Sequence, residues 1–66
     1  MAKIFSIMKT DNNGCDIEFK NSRNEDYIRN EFKKLANIPN MKVLVKEQWI
    51  EHKITGVQFW VMVETI

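Results

Sequence analysis

Few side chains in this 66-residue sequence are of a type that could carry out chemistry. Cys15 and His52, the single cysteine and the single histidine, could in principle form a thiolate–imidazole pair. Nothing in the pattern places them together, because Cys15 lies in the apolar set of a predicted strand and His52 lies in a predicted turn. We therefore expect a structural cysteine in the core and a solvated histidine.

Carboxylates around the first predicted turn could bind a divalent cation. They are Asp11, Asp16 and Glu18. Their spacing does not match a calcium loop, and Asn13-Gly14 predicts a turn rather than a phosphate-binding loop. We expect no metal, no cofactor and no enzymatic activity, because the sequence offers too few convergent polar groups.

Basic side chains on the predicted helix and at its exit could form a nucleic-acid-binding stripe. They are Arg23, Arg29, Lys33, Lys34 and Lys42. Together with Trp49, Trp60 and Phe59 they would form a platform of the kind that stacks unpaired bases. However, acidic residues interleave on the same helix, and Glu25 lies at i, i+4 spacing from Arg29. The pattern favours a solvated helix face of mixed charge, with binding of single-stranded nucleic acid as the alternative function.

Four strands and one helix are predicted to position these side chains. The strands cover residues 3–10, 15–20, 41–51 and 57–65, and the helix covers residues 23–36. The first and last strands are apolar on both faces, which is typical of central strands. Asn13-Gly14 predicts a hairpin that sets Ile7 opposite Phe19.

The helix has a capping box, in which Ser22 is the N-cap and Glu25 the reciprocal partner. Apolar residues at three- and four-residue spacing form one stripe: Tyr27, Ile28, Phe32, Leu35 and Ala36. Asn37 is predicted to adopt the left-handed conformation that ends the helix.

The segment 41–51 does not alternate cleanly, because a continuous period would bury Glu47. A bulge near residues 46–47 resolves the conflict. It would pair Val45 with Val63 and Ile50 with Phe59 on the inner face, and would leave Trp49 beside Trp60 outside.

These elements predict a single α+β domain over residues 1–66, with the order ββαββ. Placing the doubly apolar strands at the centre gives a four-stranded sheet in the order 2-1-4-3, with strands 1 and 4 parallel and the helix on one face. That is a β-grasp-like arrangement, and a meander in the order 1-2-3-4 is the alternative.

One helix leaves the other face of the sheet uncovered. In the predicted register this face carries Ile4, Met8, Trp49, Trp60 and Met62. A contiguous apolar patch of this kind marks an interaction surface, and Trp and Met are enriched at protein interfaces. We therefore expect these five residues to bind a partner.

Size and composition favour a binding protein. A chain this short buries only roughly 60% of its unfolded surface, so a partner subunit is a plausible stabiliser and we expect a homodimer. A net charge of +1 is neither strongly basic nor strongly acidic. No segment approaches the ~20 apolar residues of a membrane span, and no signal peptide is evident.

We therefore expect a cytoplasmic, non-catalytic regulator that binds another protein. Lys, Asn and Ile have AT-rich codons and are frequent in the sequence. An AT-rich bacterial or phage gene is the setting that this composition favours. An inhibitor or modulator of a host or defence protein would fit that setting.

Overall fold

The computed structural model describes residues 2–66, which form five strands and one helix. The elements are β1 (Lys3–Thr10), β2 (Asp16–Ser22), α1 (Glu25–Ala36), β3 (Met41–Val45), β4 (Trp49–His52) and β5 (Gln58–Thr65). All paired strands are antiparallel, the sheet order is β2-β1-β5-β4-β3, and α1 packs on one face. The predicted α+β class with one helix is confirmed.

The prediction of four strands is wrong, because the segment 41–51 folds as two strands joined by a tight turn. Glu47 adopts a left-handed conformation with φ of 62°, and the Gln48 N–H donates to the Val45 carbonyl at 3.0 Å. This turn lies where the apolar alternation breaks, at the position that we interpreted as a bulge. Val45 consequently pairs with Trp49 and not with Val63.

The additional turn reverses the direction of the last strand. β5 therefore runs antiparallel to β1, so the predicted parallel, β-grasp-like pairing is wrong. The predicted order 2-1-4-3 and the alternative meander are also wrong as written. What remains is the central position of the first and last strands, whose apolar residues on both faces suit the middle of a sheet.

The first hairpin forms as predicted at its turn. Gly14 has φ of 81°, and the Asp11 carboxylate accepts hydrogen bonds from the backbone N–H groups of Asn13 and Cys15 at 2.9 and 3.0 Å. Cys15 precedes β2 and is exposed, contrary to the prediction that it lies in the core. The Asp11 carboxylate holds the backbone of Cys15 in the turn, ahead of the first paired residue of β2.

The register of β2 differs from the prediction by one residue. Ile7 pairs with Lys20 and Met8 pairs with Glu18, so Phe19 is an additional residue on β2. The Phe19 ring still contacts the Phe59 ring edge-on, with centroids 5.4 Å apart. A bulge thus keeps Phe19 on the predicted face while it shifts the pairing.

The N-terminus of α1 lies two residues later than predicted. Asn24 is the N-cap, and its side-chain oxygen accepts the Tyr27 N–H at 3.1 Å. Ser22 is not the cap, because it remains paired in β2, where its hydroxyl accepts the Asn24 N–H at 3.0 Å. At the other end, Asn37 is right-handed with φ of −89°, contrary to the predicted left-handed cap.

The core lies between α1 and one face of the sheet. Ile28 and Phe32 of α1 pack against Ile7, Ile50 and Phe59, and all five are at most 9% exposed. Ile50 pairs with Phe59 as predicted. Tyr27 was predicted in the apolar stripe of the helix but is 47% exposed, because it lies outside this contact.

An ion-pair cluster fixes α1 over β2. Glu31 accepts from Lys20 of β2 and lies 3.0 Å from the Lys34 ammonium on its own helix. The Lys20 hydrogen bond, followed by that of Lys34, lowers the pKa of Glu31 to about 2. The same hydrogen bond raises the pKa of Lys20.

Candidate functional site

The candidate site is the sheet face opposite α1, which we call the open face. Phe59 and Ile50 point towards α1, so their neighbours Trp60 and Trp49 point to the other side of the sheet. Pairing across four strands then sets one row of side chains on the open face, which we call the aromatic row: Glu18, Met8, Trp60 and Trp49. A second row, the polar row, lies beside it: Asp16, Thr10, Gln58 and Glu51.

The two tryptophans of the aromatic row stack on each other. Their ring centroids are 5.4 Å apart and their planes differ by 15°. Trp60 is half-buried and flanked by Met8, while Trp49 is 36% exposed. Offset stacking of this kind stabilises an aromatic pair beyond the area that it buries. The stack therefore presents a fixed aromatic surface with the Trp49 ring on its outer side.

The polar row accepts both indole N–H groups. Trp49 Nε1 donates to Gln58 Oε1 at 2.8 Å, and Gln58 Nε2 donates to Glu51 Oε2 at 2.9 Å. The Trp49 ring is thus held in position by this hydrogen bond as well as by stacking on the Trp60 ring. The sequence analysis did not identify Gln58 and Glu51 as site residues, although the predicted pairing of Ile50 with Phe59 places them opposite each other.

The second indole has an equivalent chain of hydrogen bonds. Trp60 Nε1 donates to Thr10 Oγ1 at 2.9 Å, and Thr10 Oγ1 donates to Asp16 Oδ1 at 2.6 Å. Nearby, Ser6 is 1% exposed and its hydroxyl donates to Glu18 Oε1 at 3.3 Å. Three carboxylates of this face therefore serve as acceptors, and their charges lie on the same face of the sheet as the tryptophan pair.

All five residues predicted to bind a partner lie on the open face. Ile4, Met8, Trp60 and Met62 are half-buried, and Trp49 is at the margin of exposure. The expected adjacency of Trp49 and Trp60 is confirmed by their direct pairing. The open face thus combines apolar and polar side chains rather than forming a purely apolar patch.

The residues of the alternative nucleic-acid site are divided between the two sides of the sheet. Arg29, Lys33 and Lys34 belong to α1, whereas Lys42 of β3 pairs with Glu51 at the end of the polar row. Arg29 is also paired with Glu25, with its Nε donating to that carboxylate at 2.9 Å. The basic helix residues and the tryptophan pair therefore do not form one platform.

The other candidate residues lie apart from the open face or carry structural contacts. His52 was predicted in a turn but ends β4 and is half-buried, and its Nδ1 accepts the Thr55 N–H at 3.2 Å. Within residues 2–66, no group of three His, Cys, Asp or Glu side chains is arranged to hold a metal ion. A shallow cleft lies between α1 and the β3–β4 turn, lined by Arg29, Phe32, Lys33 and Glu47.

None of the helical structure in residues 2–66 is long and apolar enough to cross a membrane. No family model, no curated protein and no solved structure matches the chain. Inference about function therefore depends on the geometry of the open face.

Proposed function

We propose that this chain is a small non-catalytic regulator that binds another protein through the open face. It would act as an inhibitor or modulator, by occupying a surface of a larger protein such as a host or defence protein. The observation that carries the proposal is the stacked Trp49–Trp60 pair on a sheet face that α1 does not cover.

Preorganisation of this pair supports a binding role. Each indole is held by the other ring and by a hydrogen bond to Gln58 or Thr10. Binding pays an entropy cost for every side chain that it immobilises, and here that cost is largely met within the free protein. Tryptophan is also among the residues that most often dominate the energetics of protein interfaces.

The charges around the tryptophans disfavour nucleic acid as the ligand of this face. Asp16, Glu18 and Glu51 lie in the two rows and would repel phosphate groups. Of the basic residues of the alternative site, Arg29, Lys33 and Lys34 belong to α1, on the opposite side of the sheet, and Lys42 on the open face lies directly opposite Glu51. Protein binding is therefore the function that we propose, and nucleic-acid binding is an outcome that the test below can detect.

The test compares two exposed aromatic side chains on opposite sides of the molecule. Proteins captured from the native lysate by the immobilised chain are identified, purified and titrated against the wild type, Trp49→Ala and Tyr27→Ala. Truncating an aromatic anchor costs about 2 kcal/mol or more, so Trp49→Ala should weaken binding about 30-fold. Tyr27→Ala, on α1, should bind as the wild type does.

Two results would contradict the proposal. One is an identified partner that binds Trp49→Ala with wild-type affinity. The other is a ligand that proves to be nucleic acid, with an affinity that falls steeply with salt and depends on Lys33 and Lys34. Circular dichroism of each variant verifies that the compared proteins are folded.

We further propose that the chain forms a homodimer along β3. β3 is an edge strand, and Val43, Leu44 and Val45 are 43–52% exposed. Exposed apolar edge strands readily pair with another chain. Sedimentation over a wide concentration range should show a dimer that Val43→Lys weakens, and a monomer throughout would contradict this proposal.

A further inference from the structure

We propose that the partner segment recognised by the open face presents arginine side chains, with one guanidinium group stacked on the outer Trp49 ring near Glu51 and the remaining carboxylates of the face available to further arginines. This inference rests on the proposed function, since it names the chemistry of the partner that the same face binds. Three observations support it: the negative charge of the open face, the hydrogen bonds that already engage both indole N–H groups, and the exposure of the Trp49 ring.

Charge is unevenly distributed between the two sides of the sheet. In residues 2–66, the strands place four of the nine acidic side chains on the open face: Asp16, Glu18, Glu51 and Glu64. Of the ten basic side chains, they place Lys42 there, directly opposite Glu51. The chain as a whole has a net charge of +1, so the open face is acidic although the protein is not. Electrostatic complementarity therefore favours a cationic partner.

The hydrogen bonds of the tryptophans determine which part of each ring can bind. Both Nε1–H groups already donate within the protein, to Gln58 and to Thr10. Trp60 stacks on one π face of Trp49, so the ring surface left to a ligand is the exposed part of the other π face, on the side of β3. A cation within about 6 Å of an indole centroid is attracted by the ring quadrupole, and tryptophan is the strongest side-chain partner for this interaction.

Arginine fits this surface better than the other candidates. A guanidinium is planar, so it can stack on the Trp49 ring while its N–H groups donate to the Glu51 carboxylate two residues along β4, whereas a lysine ammonium is a point charge. Glu18 lies at the other end of the aromatic row, where a second arginine of the partner can reach it. A second copy of the same open face would bring four more carboxylates against these four, which disfavours a face-to-face dimer. Phosphate groups are disfavoured for the same electrostatic reason.

The experiment uses a defined probe rather than the natural partner. A synthetic peptide, acetyl-Gly-Arg-Gly-Arg-Gly-amide, is titrated into ¹⁵N-labelled full-length chain, and binding is read at the two indole Nε1–H signals. A matched peptide carries citrulline, which is neutral and nearly isosteric, in place of each arginine. A third peptide carries lysine. The arginine peptide should shift the Trp49 signal saturably, and the citrulline peptide should bind about tenfold more weakly.

Charge variants locate the effect on the open face. Glu18→Gln and Glu51→Gln keep a hydrogen-bond acceptor at each position but remove a charge, and each should lower affinity for the arginine peptide by about twofold to fivefold. Asp26→Asn removes the same charge from the exposed first turn of α1 and should leave affinity unchanged. Equal binding of the arginine and citrulline peptides, or equal effects of all three variants, would overturn the inference. Lysine binding as tightly as arginine would overturn the assignment to guanidinium.

Failure of this inference can be distinguished from failure of the proposed function. The identified partner is titrated against the Glu18→Gln/Glu51→Gln double variant as well as against Trp49→Ala. If Trp49→Ala weakens binding and the double variant does not, the open face binds protein but not through cations, and the inference is wrong. If neither change affects binding, both proposals are wrong.

Discussion

Both faces of this sheet carry apolar side chains, but they differ in the kind of residue. The face under α1 contributes Ile7, Ile50 and Phe59 to the core, which have no polar side-chain atoms. The open face carries Trp49 and Trp60, whose polar atoms are all hydrogen-bonded within the protein. Both faces are therefore ordered, but in different ways: one by exclusion of water and the other by stacking and hydrogen bonds.

This difference separates a surface that maintains the fold from one that is available for binding. A face without polar side-chain atoms must be covered, because each exposed apolar side chain loses the free energy of burial. A face of tryptophan with hydrogen-bonded N–H groups can be maintained in contact with water and still offer a large desolvation gain to a partner. Phe59 and Trp60 are adjacent in sequence and lie on opposite faces, so they provide the sharpest test of the comparison.

The largest expected effect is from Phe59→Ala. Truncating a buried phenylalanine leaves a cavity and costs about 3–5 kcal/mol, which is comparable to the total stability of a domain of this size. We expect the variant to be largely unfolded, as measured by circular dichroism and by urea denaturation. A midpoint close to that of the wild type would show that α1 does not depend on this contact.

Trp60→Ala should have a smaller effect on stability. It removes the ring stacking and one hydrogen bond, each of which contributes about 0.5–1.5 kcal/mol, together with the burial of a ring that is only half-buried. We therefore expect a smaller loss of stability than for Phe59→Ala, with the fold retained. Urea denaturation of the two neighbouring variants under identical conditions measures the difference. If Trp60→Ala destabilises the chain as much as Phe59→Ala, the open face is part of the core and the comparison fails.

Substitutions at the N-cap of α1 test the face under α1 indirectly, because the cap stabilises the helix that covers the core. Asn24→Ala removes the acceptor of the Tyr27 N–H and should cost about 1 kcal/mol. Ser22→Ala should cost less, because its hydroxyl accepts a hydrogen bond outside the helix. Thermal denaturation of both variants shows which one loses more stability. A larger loss for Ser22→Ala would show that Ser22 is the N-cap of the helix.

The smallest effect concerns the ion-pair cluster that ties α1 to β2. Glu31 ionises more readily in the folded protein, with a pKa of about 2 against its usual 4.5. Between these values the unfolded chain binds more protons at this site, so the contribution of Glu31 to stability is complete above about pH 4.5 and is lost as the pH falls towards 2. In Glu31→Gln this contribution is missing, so the urea midpoints of the two proteins should converge over that range. A difference that does not depend on pH would contradict this.

Sequence patterns predicted the elements better than their connections. The hairpin at Gly14, the helix and the pairing of Trp49 with Trp60 follow from turn chemistry and from residue alternation, which are local or nearly local signals. The turn at Glu47 was missed because a left-handed glutamate has no characteristic sequence signal, unlike the glycine at the first turn. That one turn set the direction of the last strand and therefore the topology.

The candidate site was predicted in part for the same reason. Alternation placed Trp49, Trp60 and Met62 outside the core, since a face pattern survives an error in connectivity. The hydrogen bond between Trp60 and Thr10 could not be predicted, because it joins residues 50 positions apart. Contacts of that range depend on the pairing of β1 with β5, which the sequence does not specify locally.

The pairing of the first strand with the last also has a consequence for how the chain folds. β1 and β5 form the centre of the sheet, and every contact between them closes a loop that contains β2, α1, β3 and β4. Local hairpins form in microseconds, whereas contacts between distant segments must first overcome the entropy of closing the loop. During synthesis, the β1–β2 hairpin therefore leaves the ribosome with one edge of β1 unpaired, and it waits for β5 to emerge. In this period Ile7 has neither β5 nor β4 beside it, which makes the nascent chain prone to aggregation until its last strand is complete.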